Sequence, residues 1–272
     1  MKQNNFFDLH RMQLYLQKHF TETYRFYLLA TGSLVGIMIM VPILMMTLGK
    51  NDALQLIDLA PTYYIGLFGG GLLFTGRSFG ELGNKEKCVD YLLLPASQFE
   101  KFITLLFTST IGFLVVYHLA FYTGYLVADA IQFSVQHQHI QTNYTFLSDP
   151  DEKTYVYYCY FILQALFLLG ATYYHKYSFI KTLLSIFIFL FGMAMLNCVF
   201  LFCLFGTEKS IWKRGVPFVM INVLDPKAAY SWTTTTYVIP QWLRDIYLFA
   251  IRFLIAPAIW TIAYFRLKDK EI

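Results

Sequence analysis

Long uncharged runs constrain this chain more than any other feature. The stretch from Phe26 to Leu48 contains no Asp, Glu, Lys or Arg. About 20 apolar residues in a helix cover the ~30 Å hydrocarbon core of a bilayer. Five further runs follow: Leu59 to Gly76, Phe102 to Ala128, Tyr155 to Tyr174, Thr182 to Phe205 and Ile246 to Phe265. Only the last holds a charge, Arg252. Lipid offers the backbone no hydrogen-bond partner, so a spanning segment must satisfy itself as a helix or as part of a closed barrel. Runs of this length without strict alternation point to helices. Composition agrees: 57% of residues are hydrophobic and 14% charged, against about 25% charged in soluble domains. The expected class is an all-α integral membrane protein with about six transmembrane helices. The net charge of +4 fits loops biased to one membrane face and argues against a nucleic-acid partner.

The four cysteines, Cys88, Cys159, Cys198 and Cys203, form no CxxC pair, so neither a disulfide framework nor a zinc site is expected. The first 25 residues lack the apolar core of a cleavable signal peptide. They place Phe6, Phe7, Met12, Tyr15, Leu16 and Phe20 among Lys2, Arg11, Lys18 and Arg25. Residues 1–25 are therefore expected as an amphipathic interfacial helix in contact with lipid headgroups. Residues 26–272 are expected as a single six-span domain, with an outer loop at 129–154 and a long outer segment at 206–245. The apolar strip Val216 to Val223 suggests that part of that segment dips back toward the membrane.

Lysine and arginine set the orientation. With both termini in the cytoplasm, thirteen of the 21 basic residues lie inside and seven outside, and Arg252 falls within a span. The expected location is the inner or plasma membrane.

Between the second and third spans lies the densest charge in the middle of the chain, Arg77 to Lys101. Asn84 suits an N-cap, and Lys85 to Leu94 reads as a short amphipathic helix. Val89, Leu92 and Leu93 gather on one side, with Glu86, Lys87 and Asp90 polar. Pro95 stops the helix. Ser97 and Glu100 have the spacing of a capping box ahead of the third span. The plain reading is a linker helix on the membrane surface; the sharper one is a docking helix for a cytoplasmic partner.

This stretch resembles the type-2 exporter permease family of ATP-binding-cassette (ABC) transporters. Those proteins carry, after the second span, an acidic–basic pair, an acidic residue, paired leucines, a proline, a small residue, a serine and a glutamate. Glu86-Lys87, Asp90, Leu92-Leu93-Leu94-Pro95-Ala96-Ser97 and Glu100 stand at those places. The family's Gly-Thr pair is replaced by Cys88-Val89. The resemblance implies a permease subunit that forms a homodimer or a heterodimer with a related permease. It also implies a separate ABC ATPase in the cytoplasm, which binds ATP and Mg. Residues 85–94 would be the coupling helix, with Lys85, Glu86, Lys87, Val89, Asp90, Leu93 and Leu94 as the ATPase contacts. Gly69, Gly70, Gly71, Asn197 and Arg252 are the candidates for a substrate path or gate.

Several features read more plainly. Gly71 to Ser78 imitates a P-loop, but Arg77 replaces the lysine and the run is apolar. Arg252 is within two turns of its span's start, where snorkelling is the ordinary behaviour. His118 reads as a hydrogen-bonded interior histidine, and Asn197 as a helix–helix hydrogen bond. His137 and His139 lack an acidic or cysteine partner for a metal. No catalytic motif is present, so no enzyme activity, no cofactor and no metal is expected in this chain. The alternative class is a membrane-bound accessory, sensor or immunity protein without transport. A secondary transporter would show paired ionisable residues at mid-membrane and an internal repeat.

Overall fold

The computed structural model describes residues 7–48, 54–78, 96–141, 150–174, 176–205, 215–216, 220–224 and 234–269. Among the described residues, six helices are long and apolar enough to cross a membrane. They are α1 (Leu9–Leu48), α2 (Leu56–Arg77), α3 (Gln98–Gln136), α4 (Pro150–Tyr173), α5 (Ser178–Phe205) and α6 (Gln241–Lys268). The chain is a multi-pass helical membrane protein, as its uncharged runs predict.

Two of the expected boundaries differ. No break separates residues 9–25 from the first span, because α1 is one helix of 40 residues. At 1.5 Å per residue it is about 60 Å long, twice the hydrocarbon core. Between Leu9 and Ala30 there is no glycine or proline to end it. Thr21 and Thr23 turn their hydroxyls back to the carbonyls of Gln17 and His19, four residues earlier. Lys18 and Glu22 pair one turn apart at 3.5 Å. The second difference is that the expected single domain 26–272 divides into two compact units, Met1–Phe179 with Ala256–Ile272, and Ile180–Ile255.

In the first unit, α1 and α3 run parallel and cross closely. Pro42 lies within α1 and is buried. Its missing amide leaves the Met38 carbonyl without the usual helical donor. That carbonyl faces Gly124 of α3: a Cβ on Gly124 would lie 2.5 Å from the Met38 oxygen. A glycine is required there because the two backbones touch. Around this crossing, Met38, Tyr63, Leu67, Phe113, Tyr117 and Tyr160 form a buried core. Stacked and edge-on rings fill it, Phe113 lying over Tyr117 at 5.7 Å and Tyr63 meeting Phe121 at 5.0 Å.

One end of this unit is closed by polar pairing. The Leu54 amide donates to Gln132 Oε1 (3.1 Å), and the Leu56 amide donates to the Gln141 carbonyl (3.1 Å). Asp129 accepts from the Ile140 amide (2.8 Å) and from His139 Nδ1 (2.9 Å). The opposite end, where α1 and α3 extend beyond Arg77 of α2, carries the candidate site.

The second unit contains most of α5, the start of α6 and a three-stranded antiparallel sheet: β1 (Gly215–Val216), β2 (Met220–Leu224) and β3 (Thr234–Val238). Met220 pairs with Val238 and Leu224 with Thr234. The sequence reading anticipated no strand; of the apolar strip, Val216 and residues 220–223 enter this ladder. Consecutive β-branched and aromatic residues, Thr234 to Val238, favour the extended form. The large side chains of α5, among them Phe187, Ile188, Phe189 and Phe191, are exposed, as expected of surface that meets lipid.

Candidate functional site

The site is built on the first turn of α3. Ser97 is its N-cap and Glu100 the third residue of the helix. The Glu100 amide donates to Ser97 Oγ (3.2 Å), and the Ser97 amide donates to Glu100 Oε2 (2.8 Å). The capping box read from the spacing is therefore present. The structure adds a third component. Glu100 Oε1 accepts from the Asp8 amide (2.7 Å) and from Arg11 Nη2 (3.0 Å), both at the start of α1. The Glu100 side chain is fully buried and that of Arg11 is 31% exposed. A buried carboxylate is tolerated only where donors surround it. Here two main-chain amides and a guanidinium do so, and in doing so they fasten α1 to the first turn of α3.

Aromatic packing widens this fastening. Phe7 meets Phe99 edge-on at 6.2 Å, and Phe99 and Phe102 both meet Tyr264 of α6, at 5.9 and 5.7 Å. Phe102, Leu105, Leu168, Ala171, Ala263 and Leu267 pack behind them from three helices. The Arg77 guanidinium lies 4.9 Å from the centre of the Phe26 ring, and that of Arg266 4.6 Å from the centre of the Tyr173 ring. Ser78 and Ala96, the described residues that flank 79–95, are both at this end of the unit. The docking residues read from the sequence, Lys85, Glu86, Lys87, Val89, Asp90, Leu93 and Leu94, lie outside the described residues.

The path candidates separate. Gly69, Gly70 and Gly71 are in the first unit, Asn197 and Arg252 in the second. Gly69 has nothing within 4 Å of an added Cβ, so its side is open. Gly71 is a packing position: a Cβ there would meet the Tyr160 ring at 2.7 Å and Phe113 at 2.9 Å. Gly69 and Gly70 belong to a π-helical turn, Gly66–Gly70, and Arg252 to another, Ala250–Leu254. A third, Thr108–Gly112, lies in α3. Such turns insert a residue into the helical ladder and recur at functional places. The P-loop imitation at 71–78 is helical up to Arg77.

Two features escaped the sequence reading, and a third was read without its partners. Gln164 of α4, fully buried, donates to Ser109 Oγ (3.1 Å) and accepts from Trp260 Nε1 (3.0 Å), tying α3, α4 and α6 together. Gly124 is the close-approach glycine of α3. His118 is hydrogen-bonded in the interior, as read, but to two tyrosines from other helices. A polar residue inside an apolar run was the available signal in each of the two polar cases. Among the described residues, no three His, Cys, Asp or Glu side chains come together as a metal site requires. Comparisons of the chain with protein-family models, with curated proteins and with solved structures find no match.

Proposed function

We propose that this chain is the permease subunit of an ABC exporter, driven by a separate cytoplasmic ATPase. The reading rests first on the resemblance of residues 86–100 to the type-2 exporter permeases. The single structural observation that supports it is the buried Glu100. A segment that receives force from a motor needs a stiff attachment, and the C-terminal flank of 79–95 enters a helix whose first turn is bonded to α1 and packed on α6. Movement of 85–94 would then reach three spans together. In this reading, the end that holds Arg11, Arg77, Glu100 and Arg266 faces the cytoplasm of a cell with its protein in the inner or plasma membrane. Two permeases pair, as a homodimer or with a related chain, and amphipathic cargo passes between them. ATP and Mg belong to the partner.

The test is co-purification in mild detergent from the native cell, with companions identified. Capture of an ATPase bearing nucleotide-binding motifs is the expected result. Glu86→Lys and Asp90→Lys should each lower its recovery at least several-fold while leaving the permease folded. Recovery of the wild-type chain without any such ATPase refutes the reading and favours an accessory or sensor protein.

A further inference from the structure

Away from the end that carries Glu100, one polar cluster within the spans of the first unit is not used by the proposed docking. Three atoms from three helices form a triangle: Tyr63 Oη of α2, His118 Nε2 of α3 and Tyr157 Oη of α4. The two tyrosine oxygens are 2.8 Å apart, Tyr157 Oη is 2.8 Å from Nε2, and Tyr63 Oη is 3.2 Å from Nε2. The other imidazole nitrogen, Nδ1, is 2.7 Å from the Leu114 carbonyl oxygen. A carbonyl only accepts, so Nδ1 carries a proton. In the neutral ring Nε2 is then an acceptor, and the two shorter contacts, both at 2.8 Å, favour one proton order. Tyr63 donates to Tyr157, and Tyr157 donates to Nε2.

We infer that this triad is a proton-binding site, taking one proton at His118 Nε2. The site is built for it in three respects. First, Nδ1 is already committed to the main chain, so a second proton has one place to go. Second, both partners of Nε2 are hydroxyls, which can reverse from donor to acceptor by rotation alone. On protonation an N–H bond forms at Nε2 and donates to Tyr157, and the Tyr157 hydroxyl turns to donate to Tyr63. The Tyr63 hydroxyl then turns out of the triangle. The proton comes from water, and no other reactant is consumed. Third, the site is not sealed inside the unit. His118 and Tyr157 are partly exposed, while Tyr63 is buried. Tyr63 and Tyr157 each stand seven residues into their helices, about 10 Å from the helix start.

The groups facing His118 are tyrosines. Tyr63 comes from α2, Tyr117 from its own helix and Tyr157 from α4, with Tyr64 and Tyr160 in the adjoining core. From α1, Met38 and Leu34 join the same core, and neither titrates. No ion pair to His118 occurs among the described residues. Proton uptake therefore places a new charge where spans two, three and four meet, and reorients the hydrogen bonds that join them. An intramembrane ionisable group with named partners is where such linkage is expected. The inference is independent of the ATPase assignment.

Nuclear magnetic resonance on the full chain in lipid nanodiscs tests it, with histidine labelled in its ring nitrogens and tyrosine at Cζ. The chain has six histidines, and His118→Gln identifies the resonances of interest by their loss. At alkaline pH, one imidazole should show a protonated Nδ1 and a bare Nε2. On acidification Nε2 should become protonated, and the Cζ resonances missing from Tyr63→Phe and Tyr157→Phe should shift in the same titration. If His118→Gln does not fold, the two Tyr→Phe spectra make the assignment. An Nε2 that stays bare at every pH at which the protein remains folded overturns the inference. So does a titration that leaves both tyrosines unmoved.

Discussion

Replacing Gly124 by alanine puts the crossing of α1 and α3 to a direct test. The new methyl would stand 2.5 Å from the Met38 carbonyl oxygen and 2.8 Å from its carbon. An ordinary carbon–oxygen contact needs about 3.3 Å, so the helices must separate by roughly 0.8 Å. The obstructing atoms are main chain and cannot rotate aside. Overpacking of this kind costs about 1–3 kcal/mol. Alanine returns about 1 kcal/mol because it is the better helix former. The net expectation is a destabilisation of about 1 kcal/mol, roughly five-fold in the folded-to-unfolded ratio. Gly32 and Gly36 of α1 supply the control, since an added Cβ on either meets nothing within 4 Å. Their alanine variants should be neutral or slightly more stable. Reversible unfolding in mixed micelles, run on all three, decides the matter. A Gly124→Ala protein as stable as Gly32→Ala would refute the close crossing.

Other expectations follow from the polar contacts. Glu100→Ala strands two amides and Arg11, and should cost about 3 kcal/mol; Arg11→Ala, partly exposed, should cost about 1 kcal/mol. A double-mutant cycle read by thermal unfolding should show coupling above about 0.5 kcal/mol, and strict additivity would disprove the fastening. Gln164→Leu leaves the Trp260 indole and Ser109 without their partner and should cost about 0.5–2 kcal/mol in the same assay, the usual range for hydrogen bonds between membrane helices.

How much of this was legible in the sequence differs from residue to residue. The six spans were, because lipid forces apolar runs of a fixed length. The Ser97–Glu100 capping box was as well, because it is a local spacing. That Glu100 would also hold Arg11 was not: the partners are 89 residues apart, and nothing local encodes the pairing. The continuity of α1 past Arg25 was hidden because amphipathic composition describes where a helix lies, not where it ends. Gly124 looked like any glycine in a span, since close approach depends on a neighbour, Met38, whose carbonyl is freed by Pro42 four residues on. The strands at 215–238 were missed because a short apolar strip fits a buried helix, a re-entrant loop or a strand equally well.

The length of α1 has a mechanical meaning. Its N-terminal end is held at Arg11, and its tightest crossing is at Met38, 27 residues further on and about 40 Å away. Beyond the crossing only ten residues remain to Leu48, about 15 Å. Both attachments are to α3, at Glu100 and at Gly124, so the two helices splint one another over the length between them and bend less than either would alone.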